Sequence, residues 1–459
     1  MKKGQRLFVV IFLILCILPS AGMLILPEEE NRANQVLAPR PRLQTGDHQW
    51  NLQFFSELEA YMKDHFAFRQ HFITVYDKLL CKVFATSGTD QVIVGKEGWL
   101  YYADSAPDFL NIPTMTERQA ANAAISLSLM QEYTLMQGAR FLFIIAPNKN
   151  SIYPQYMPDH YIPAVQEGNL ERMRRAMESC GMRDLDLFES LRASPERLYH
   201  QLDSHWNDQG AALVQQILMR ALGMEGTDYS QKPYQTRRNF SGDLYEMLYP
   251  EGNELDENQD YGVFTYQVDG AASPDSIRYQ TSNPSKEHSL VMFRDSFGNA
   301  LSPFLAEEFA DALFSRAVPY QMDLIGQQQA DFVILELAER NLKTLSERAP
   351  VMEAPQRTIQ MPEEQFTSGL EAVSRVYGTY REITGFFQAE EADAGSRIYA
   401  VITGDSGTTV YEASPAGEGG QGCFTLYIPW QDEKDLRISL VLTRDGKQMK
   451  TETIEVQGK

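Results

Sequence analysis

At 459 residues, with 43% hydrophobic and 11% aromatic residues, the chain is long enough for two or more domains and has an ordinary globular composition. A formal net charge of −21 excludes the broad basic face that nucleic-acid binding needs, and it suits neutral glycans better than polyanions unless a cleft is locally basic. The four cysteines, Cys16, Cys81, Cys180 and Cys423, are scattered without a CxxC, which excludes a disulfide scaffold and a zinc cluster.

Lys2, Lys3 and Arg6 precede an uncharged apolar run from Leu7 to Leu26. About 20 residues at about 1.5 Å each span a bilayer core. Positive residues on the N-terminal side put that end in the cytoplasm and the rest outside. Leu18-Pro19-Ser20-Ala21 is a poor cleavage site, so a signal anchor is favoured over a cleaved signal peptide. Pro27 to Thr45 reads as a juxtamembrane linker, and Asn51 to Phe84 has helical periodicity.

Val92-Ile93-Val94 and Trp99 to Tyr102 flank Gly95-Lys96-Glu97-Gly98, a predicted hairpin. A helix is predicted over Thr116 to Gly138. Phe141 to Ile145 is a continuous apolar strand, as in a sheet covered on both faces, and Ala146-Pro147-Asn148-Lys149 follows at its carboxyl end. Lys149 is thus a candidate site residue, with a solvated loop charge as the alternative. Glu171 to Cys180 is predicted helical and Met182 to Leu187 a short strand. Gly223 to Pro284, acidic and rich in tyrosine and glycine, reads as an insert rimming the cleft. Further on come an apolar strand at Ser289 to Phe293, a helix over Pro303 to Phe309 with Ser302 as cap, and a strand at Phe332 to Leu337. This alternation predicts an α/β doubly wound sheet. From about Thr384 short alternating strands predict a small β-sandwich. The expected divisions are 1–27 anchor, 28–90 linker and helical segment, 91–350 catalytic domain, 351–383 linker and 384–459 sandwich.

The chemistry centres on Leu202-Asp203-Ser204-His205-Trp206-Asn207. A carboxylate two residues before an imidazole accepts the Nδ1 proton and leaves Nε2 free as a base. Asn207 is placed to cap the helix that follows. The matching nucleophile is Ser296, where the strand Ser289–Phe293 runs through Arg294-Asp295 into Ser296-Phe297-Gly298. Strand-turn-helix is where α/β hydrolytic enzymes present a serine. None of the seven histidines has HExxH spacing, so no metal site is expected, although ligation by Asp203 with His205 stays open. No cofactor is called for.

Asp203-x-His205-Trp206 and Asp295-Ser296-Phe297 resemble the DHHW family, relatives of the alginate O-acetyltransferases. Gly95 to Tyr101, Pro147-Asn148-Lys149, Gly242-Asp243-Leu244 and Leu335 to Asn341 agree in order with that resemblance. It implies an SGNH-hydrolase-like domain with permuted motif order, Asp-x-His preceding Ser. It also implies a Ser296–His205–Asp203 triad, with Asn341, Arg340, Lys149 and Asp295 as candidates for oxyanion or substrate contacts. Ser204 replaces the second histidine of the name-giving motif, at a position expected to matter little. Arg294 replaces a glycine, which puts the local turn in question.

The function so implied is an O-acetyltransferase acting outside the cytoplasm on an exported or cell-surface polysaccharide. A membrane acyltransferase partner would supply the acetyl groups. The alternatives are a carbohydrate acetylesterase with the same triad and a non-catalytic glycan-binding protein.

Overall fold

The computed structural model describes residues 3–26, 37–388, 390, 392–405, 407–417, 422–430 and 436–458. Residues 27–36 of the expected juxtamembrane linker lie outside them, as do Lys2 and Pro27, where the expected anchor ends. Helix α1 (Lys3–Ile25) contains a 20-residue apolar stretch, Gly4–Met23, long enough to cross a membrane. The helical pattern of 51–84 forms two helices, α2 (Phe54–His65) and α3 (Arg69–Phe84). They part at Phe68, whose φ of 65° is left-handed and ends the α2 direction.

The predicted hairpin forms from β1 (Val92–Val94) and β2 (Leu100–Tyr102), paired antiparallel. Helix α4 (Glu117–Met136) begins in a capping box, with Thr116 and Gln119 satisfying each other's backbone amides. It leads to β3 (Arg140–Ala146) and then α5 (Asn169–Ser179). The strand expected over Met182–Leu187 reduces to one parallel bridge, Leu185 to Ile144. Its two aspartates are drawn aside by Arg174, at 2.6 Å from Asp184 and 3.3 Å from Asp186.

Helix α6 (Asp208–Leu222) is capped by Asn207, whose side chain accepts from the Gly210 N–H at 2.9 Å. The region read as a cleft-rimming insert does more than rim. It supplies β4 (Gln235–Phe240), α7 (Asp243–Leu248), β5 (Asp256–Asp260), β6 (Gln267–Val268) and β7 (Arg278–Ser282). Strand β8 (Ser289–Phe293), helix α8 (Gly298–Ala306), β9 (Asp311–Ser315) and β10 (Phe332–Ala338) follow.

The main sheet has the order β3-β10-β8-β9-β7-β6. Its first four strands are parallel, and β7 and β6 add antiparallel. Every residue of β10 is buried, which a strand achieves only when both sheet faces are covered. The insert therefore extends the sheet beyond β9. Helix α8 starts at Gly298, not Pro303. Proline lacks an N–H and cannot satisfy the carbonyl of Asn299, so the Ser302 hydroxyl donates to that carbonyl at 3.5 Å.

The C-terminal strands begin earlier than the change of texture at Thr384. They are β11 (Gln365–Phe366), β12 (Glu371–Tyr377), β13 (Tyr380–Phe386), β14 (Ile398–Gly404), β15 (Gly407–Ala413), β16 (Cys423–Pro429), β17 (Arg437–Arg444), β18 (Lys447–Thr451), β19 (Ile454–Glu455) and β20 (Gln457–Gly458). One sheet runs β16-β13-β12-β20 and the other β11-β18-β17-β14-β15, with β19 on β17. The expected 351–383 linker thus contains β12 and most of β13, and it belongs with the sandwich. The separate core is built from residues such as Ile383, Ala400, Phe424, Ile438 and Leu440. The sandwich rests on α4: Arg357 bonds Glu132 through two nitrogens and Glu412 through a third, and the Ser126 and Ser414 hydroxyls meet at 3.0 Å.

Candidate active site

Because β3, β8 and β10 are parallel, their carboxyl ends lie on one sheet edge. Three segments converge there: Pro147–Asn150, Asp295–Phe297 and Glu339–Asn341. Opposite them, Leu198 to Asn207 folds as a tight hairpin, with a Tyr199–Trp206 bridge and the Asn207 N–H donating to the Leu198 carbonyl. Asp203 and His205 sit at its tip.

The His205 Nε2 lies 2.8 Å from the Ser296 hydroxyl, and its Nδ1 lies 2.7 Å from Asp203 Oδ1. The same Asp203 oxygen accepts the His205 backbone N–H at 2.8 Å, and Oδ2 accepts the Asp243 N–H at 2.8 Å. Burial opposes charge on Asp203, but the adjacent His205 and these hydrogen bonds win and hold its carboxyl far below the usual range. Burial likewise disfavours the His205 imidazolium, and the Asp203 charge and hydrogen bond outweigh it, so the His205 pKa is raised. The ring packs edge-on against Phe297, and the Trp206 indole donates to the Phe297 carbonyl at 3.0 Å. The histidine loop is thereby tied to the serine turn.

That turn is held from below. Asp295 Oδ1 accepts the Phe297 N–H at 2.9 Å, and Oδ2 accepts the Ala338 N–H at 2.8 Å and the Asn341 amide at 2.7 Å. Both oxygens are committed to the turn, and Asp295 is not among the residues that line the cavity beside Ser296. The Asp295 N–H donates to Glu336, a carboxyl buried completely and pushed well up by that burial and by Asp295. Arg294 replaces the expected glycine without breaking the turn. Its guanidinium is drawn away to Asn299 and to the carbonyls of Asp295, Pro274 and Ser276, and its aliphatic stem fills the space where Gly298 has no Cβ.

A cavity of about 330 Å³ opens above the serine. It is lined by Tyr102, Asp104, Ser204, His205, Asp243, Met247, Ser296, Arg340 and Asn341. Arg340 lies over the rings of Tyr102 and Phe297 and donates to Asn148 Oδ1 at 3.3 Å. Arg340 and Asn341 thus share the cavity with Ser296.

Lys149 does not. It is buried behind the histidine loop, where its ammonium donates to the carbonyls of His200, Gln201 and Asp203 at 3.1, 3.1 and 2.6 Å. Trp99 and Tyr101 of the β1–β2 hairpin face it with their rings. Burial pulls its pKa down to about 8, against the opposing pull of Asp203, Asp243 and Asp256. Lys149 is a brace for the loop, and the solvated-charge alternative is equally displaced.

The fold also brings Asp243 and Ser204 to the cavity, a juxtaposition the sequence does not indicate. The Ser204 hydroxyl donates to Asp243 Oδ2 at 2.7 Å and lies 3.2 Å from His205 Nδ1, while its N–H donates to Asp243 Oδ1 at 2.8 Å. Burial and the nearby Asp203 charge push the Asp243 carboxyl up to about 6. Gly242 allows this approach, because a Cβ there would sit 2.3 Å from the Leu202 carbonyl oxygen. The available signal was the Gly242-Asp243-Leu244 motif itself, but nothing local ties it to Asp203. Asp203, His205 and Asp243 also offer ligand atoms within 4.8 Å of one another, the group among the described residues most like a metal-binding set at this edge. Asp203 meets His205 Nδ1 directly, and Asp243 meets the Ser204 hydroxyl.

Residues 92–284 match the family model of the SGNH hydrolase-like domain of acetyltransferase AlgX. Among solved structures, it is similar to a DHHW family protein from Eubacterium siraeum, at 17% identity, covering 49% of this chain and 85% of that one with a TM-score of 0.39. Bacillus cereus PatB1 is similar at 15% identity, with 55% and 97% covered and a TM-score of 0.44. The O-acetyltransferase domain of Pseudomonas putida AlgJ is similar at 16% identity, with 55% and 92% covered and a TM-score of 0.38. A search of curated proteins by sequence gives no match.

Proposed function

We propose that the protein is an O-acetyltransferase that works outside the cytoplasm and moves acetyl groups onto a polysaccharide hydroxyl. The observation that carries the reading is the continuous relay Asp203–His205–Ser296, with contacts of 2.7 and 2.8 Å, opening into a cavity at the carboxyl edge of the sheet. The AlgX-type domain supports the acetyl-transfer class.

In this mechanism His205 Nε2 takes the Ser296 proton as Oγ attacks the acetyl carbonyl. Asp203 keeps the other ring proton on Nδ1 and stabilises the imidazolium. The tetrahedral oxyanion is met by the Ser296 N–H and by Asn341, whose amide has a second hydrogen besides the one given to Asp295. Arg340 adds positive charge at the same mouth. The oxyanion collapses, the donor's alcohol leaves with the proton from His205, and Ser296 holds the acetyl group. A sugar hydroxyl then gives its proton to His205, attacks the acetyl-serine, and releases Ser296 with its proton restored.

Helix α1 serves as the membrane anchor in this reading, and a membrane acyltransferase delivers the acetyl group. Protease added to intact protoplasts should degrade the body of the protein; its protection would overturn that topology. An acetylesterase would share every step except the acceptor. An acetyl-ester assay with and without oligosaccharides separates the two. Acetylated oligosaccharide is the expected product; hydrolysis unaffected by any acceptor would favour the esterase, and no turnover of any ester would favour a binding protein.

A further inference from the structure

We propose that the outer face of α3 docks onto an anionic lipid bilayer, so that the protein's body lies against the membrane and does not swing on a tether. The proposal rests on reading α1 as a membrane span.

Helix α3 is turned inside out. The residues it buries are Gln70, Thr74 and Asp77. The polar side is fixed in part by a bond, since the Thr74 hydroxyl accepts the Glu251 N–H at 3.0 Å. Outward point Phe72, Val75, Tyr76, Leu79 and Val83, spaced as one helical face, with Val75 69% and Val83 58% exposed. A globular surface helix presents the opposite arrangement. Such a stripe needs a cover.

Charge narrows what the cover is. In a chain of net charge −21, the only acid in α3 is Asp77, and it is buried. Lys78 and Lys82 are exposed beside the stripe, with the Lys78 ammonium 5.9 Å from the Tyr249 ring centre. Apolar side chains flanked by lysines suit the headgroup boundary of an anionic bilayer.

The connection to α1 sets the depth. The Ala67 N–H, at the corner between α2 and α3, donates to the Pro19 carbonyl at 3.3 Å. Gly22 also faces this corner, where a Cβ would stand 2.4 Å from that of Ala67. Pro19 and Gly22 lie in the last turns of the Gly4–Met23 stretch. A span crossing the bilayer therefore carries Phe66-Ala67-Phe68 to its outer boundary, and α3 leaves from that level.

The test uses the full chain in vesicles of phosphatidylcholine, with and without phosphatidylserine. A protease site placed within residues 27–36 allows α1 to be severed after reconstitution. The severed body is expected to sediment with phosphatidylserine vesicles and to leave those of phosphatidylcholine alone. Val75→Glu with Val83→Glu, and separately Lys78→Glu with Lys82→Glu, are expected to lower its bound-to-free ratio about tenfold or more. Both pairs lie on exposed positions, so the parent's melting temperature and ester hydrolysis should persist. Release of the parent body from phosphatidylserine vesicles on cutting, or retention of the variants equal to the parent's, overturns the proposal. An uncut chain that stays in solution overturns the anchor reading, and the proposal with it.

Discussion

Asp203→Asn separates the proposed relay from a merely structural Asp–His pair. In the parent, Asp203 Oδ1 accepts two N–H groups from His205 and Oδ2 accepts one from Asp243. An asparagine keeps only one acceptor oxygen. If its oxygen faces His205, its NH₂ confronts the Asp243 N–H, donor against donor. If it flips, the NH₂ faces Nδ1 and moves the ring proton to Nε2, where it blocks transfer from Ser296. The first arrangement keeps the tautomer but loses the negative charge that stabilises the imidazolium, the second loses the free base, and the expected fall in kcat/KM is on the order of 10²–10⁴. At about 1.4 kcal/mol per tenfold, that is roughly 3–6 kcal/mol of lost transition-state stabilisation.

The pH profile adds an independent reading. His205 acts as a base only when neutral, so the rate rises with pH through its pKa, which Asp203 raises above the ordinary value near 6.5. Removing the carboxylate's charge should move the acid limb downward. The assay is hydrolysis of an activated acetyl ester by the full chain in detergent across pH, with circular dichroism to show an intact fold. A variant within threefold of the parent, about 0.6 kcal/mol, with an unmoved acid limb, would refute the reasoning.

Other expectations concern the groups around the relay. Lys149→Met should lower kcat more than it raises KM and destabilise the fold by about 2–4 kcal/mol, because three carbonyls lose a buried donor; thermal unfolding and steady-state kinetics check this, and an unchanged kcat would sink the bracing role. Ser204→Ala should cost about tenfold or less in the parent and almost nothing in an Asp243→Ala background, since the two side chains form one hydrogen-bonded pair; additive losses would contradict that. Glu339 accepts from the Asn148 N–H and the Ser151 hydroxyl, and burial, then Asp108, pushes its carboxyl up to about 7. A carboxyl whose folded pKa is raised contributes stability below its unfolded value of about 4.3 and loses it as pH rises through 7. Glu339→Gln should flatten that decline in denaturant titrations at pH 4.5 and 7.5, and parallel curves for parent and variant would count against it.

Much of the sheet was legible because β3 and β8 read as apolar runs once past Arg140 and Ser289, and β10 as one that only the buried Glu336 interrupts. The Asp203-x-His205 pair was legible because its two residues and the helix cap at Asn207 are local. What escaped the sequence depends on distant partners. Lys149 reads as a site residue or a solvated loop charge, and it is neither once Trp99, Tyr101 and three carbonyls enclose it. Asp243 meets Ser204 across 39 residues, and only the fold brings them together. Strand β6 has only two residues, at the sheet's edge, and β7 beside it is short and mostly polar, with only Tyr279 and Thr281 buried. In β12, exposed residues hid the start of the sandwich.

The most direct test of the central claim is covalent labelling with an alkylphosphonate, followed by peptide mass spectrometry. The account requires stoichiometric modification of Ser296 in the parent and its loss in His205→Ala. Chelator should leave the labelling unchanged. Modification at another residue, or labelling of Ser296 that persists without His205, would contradict the relay.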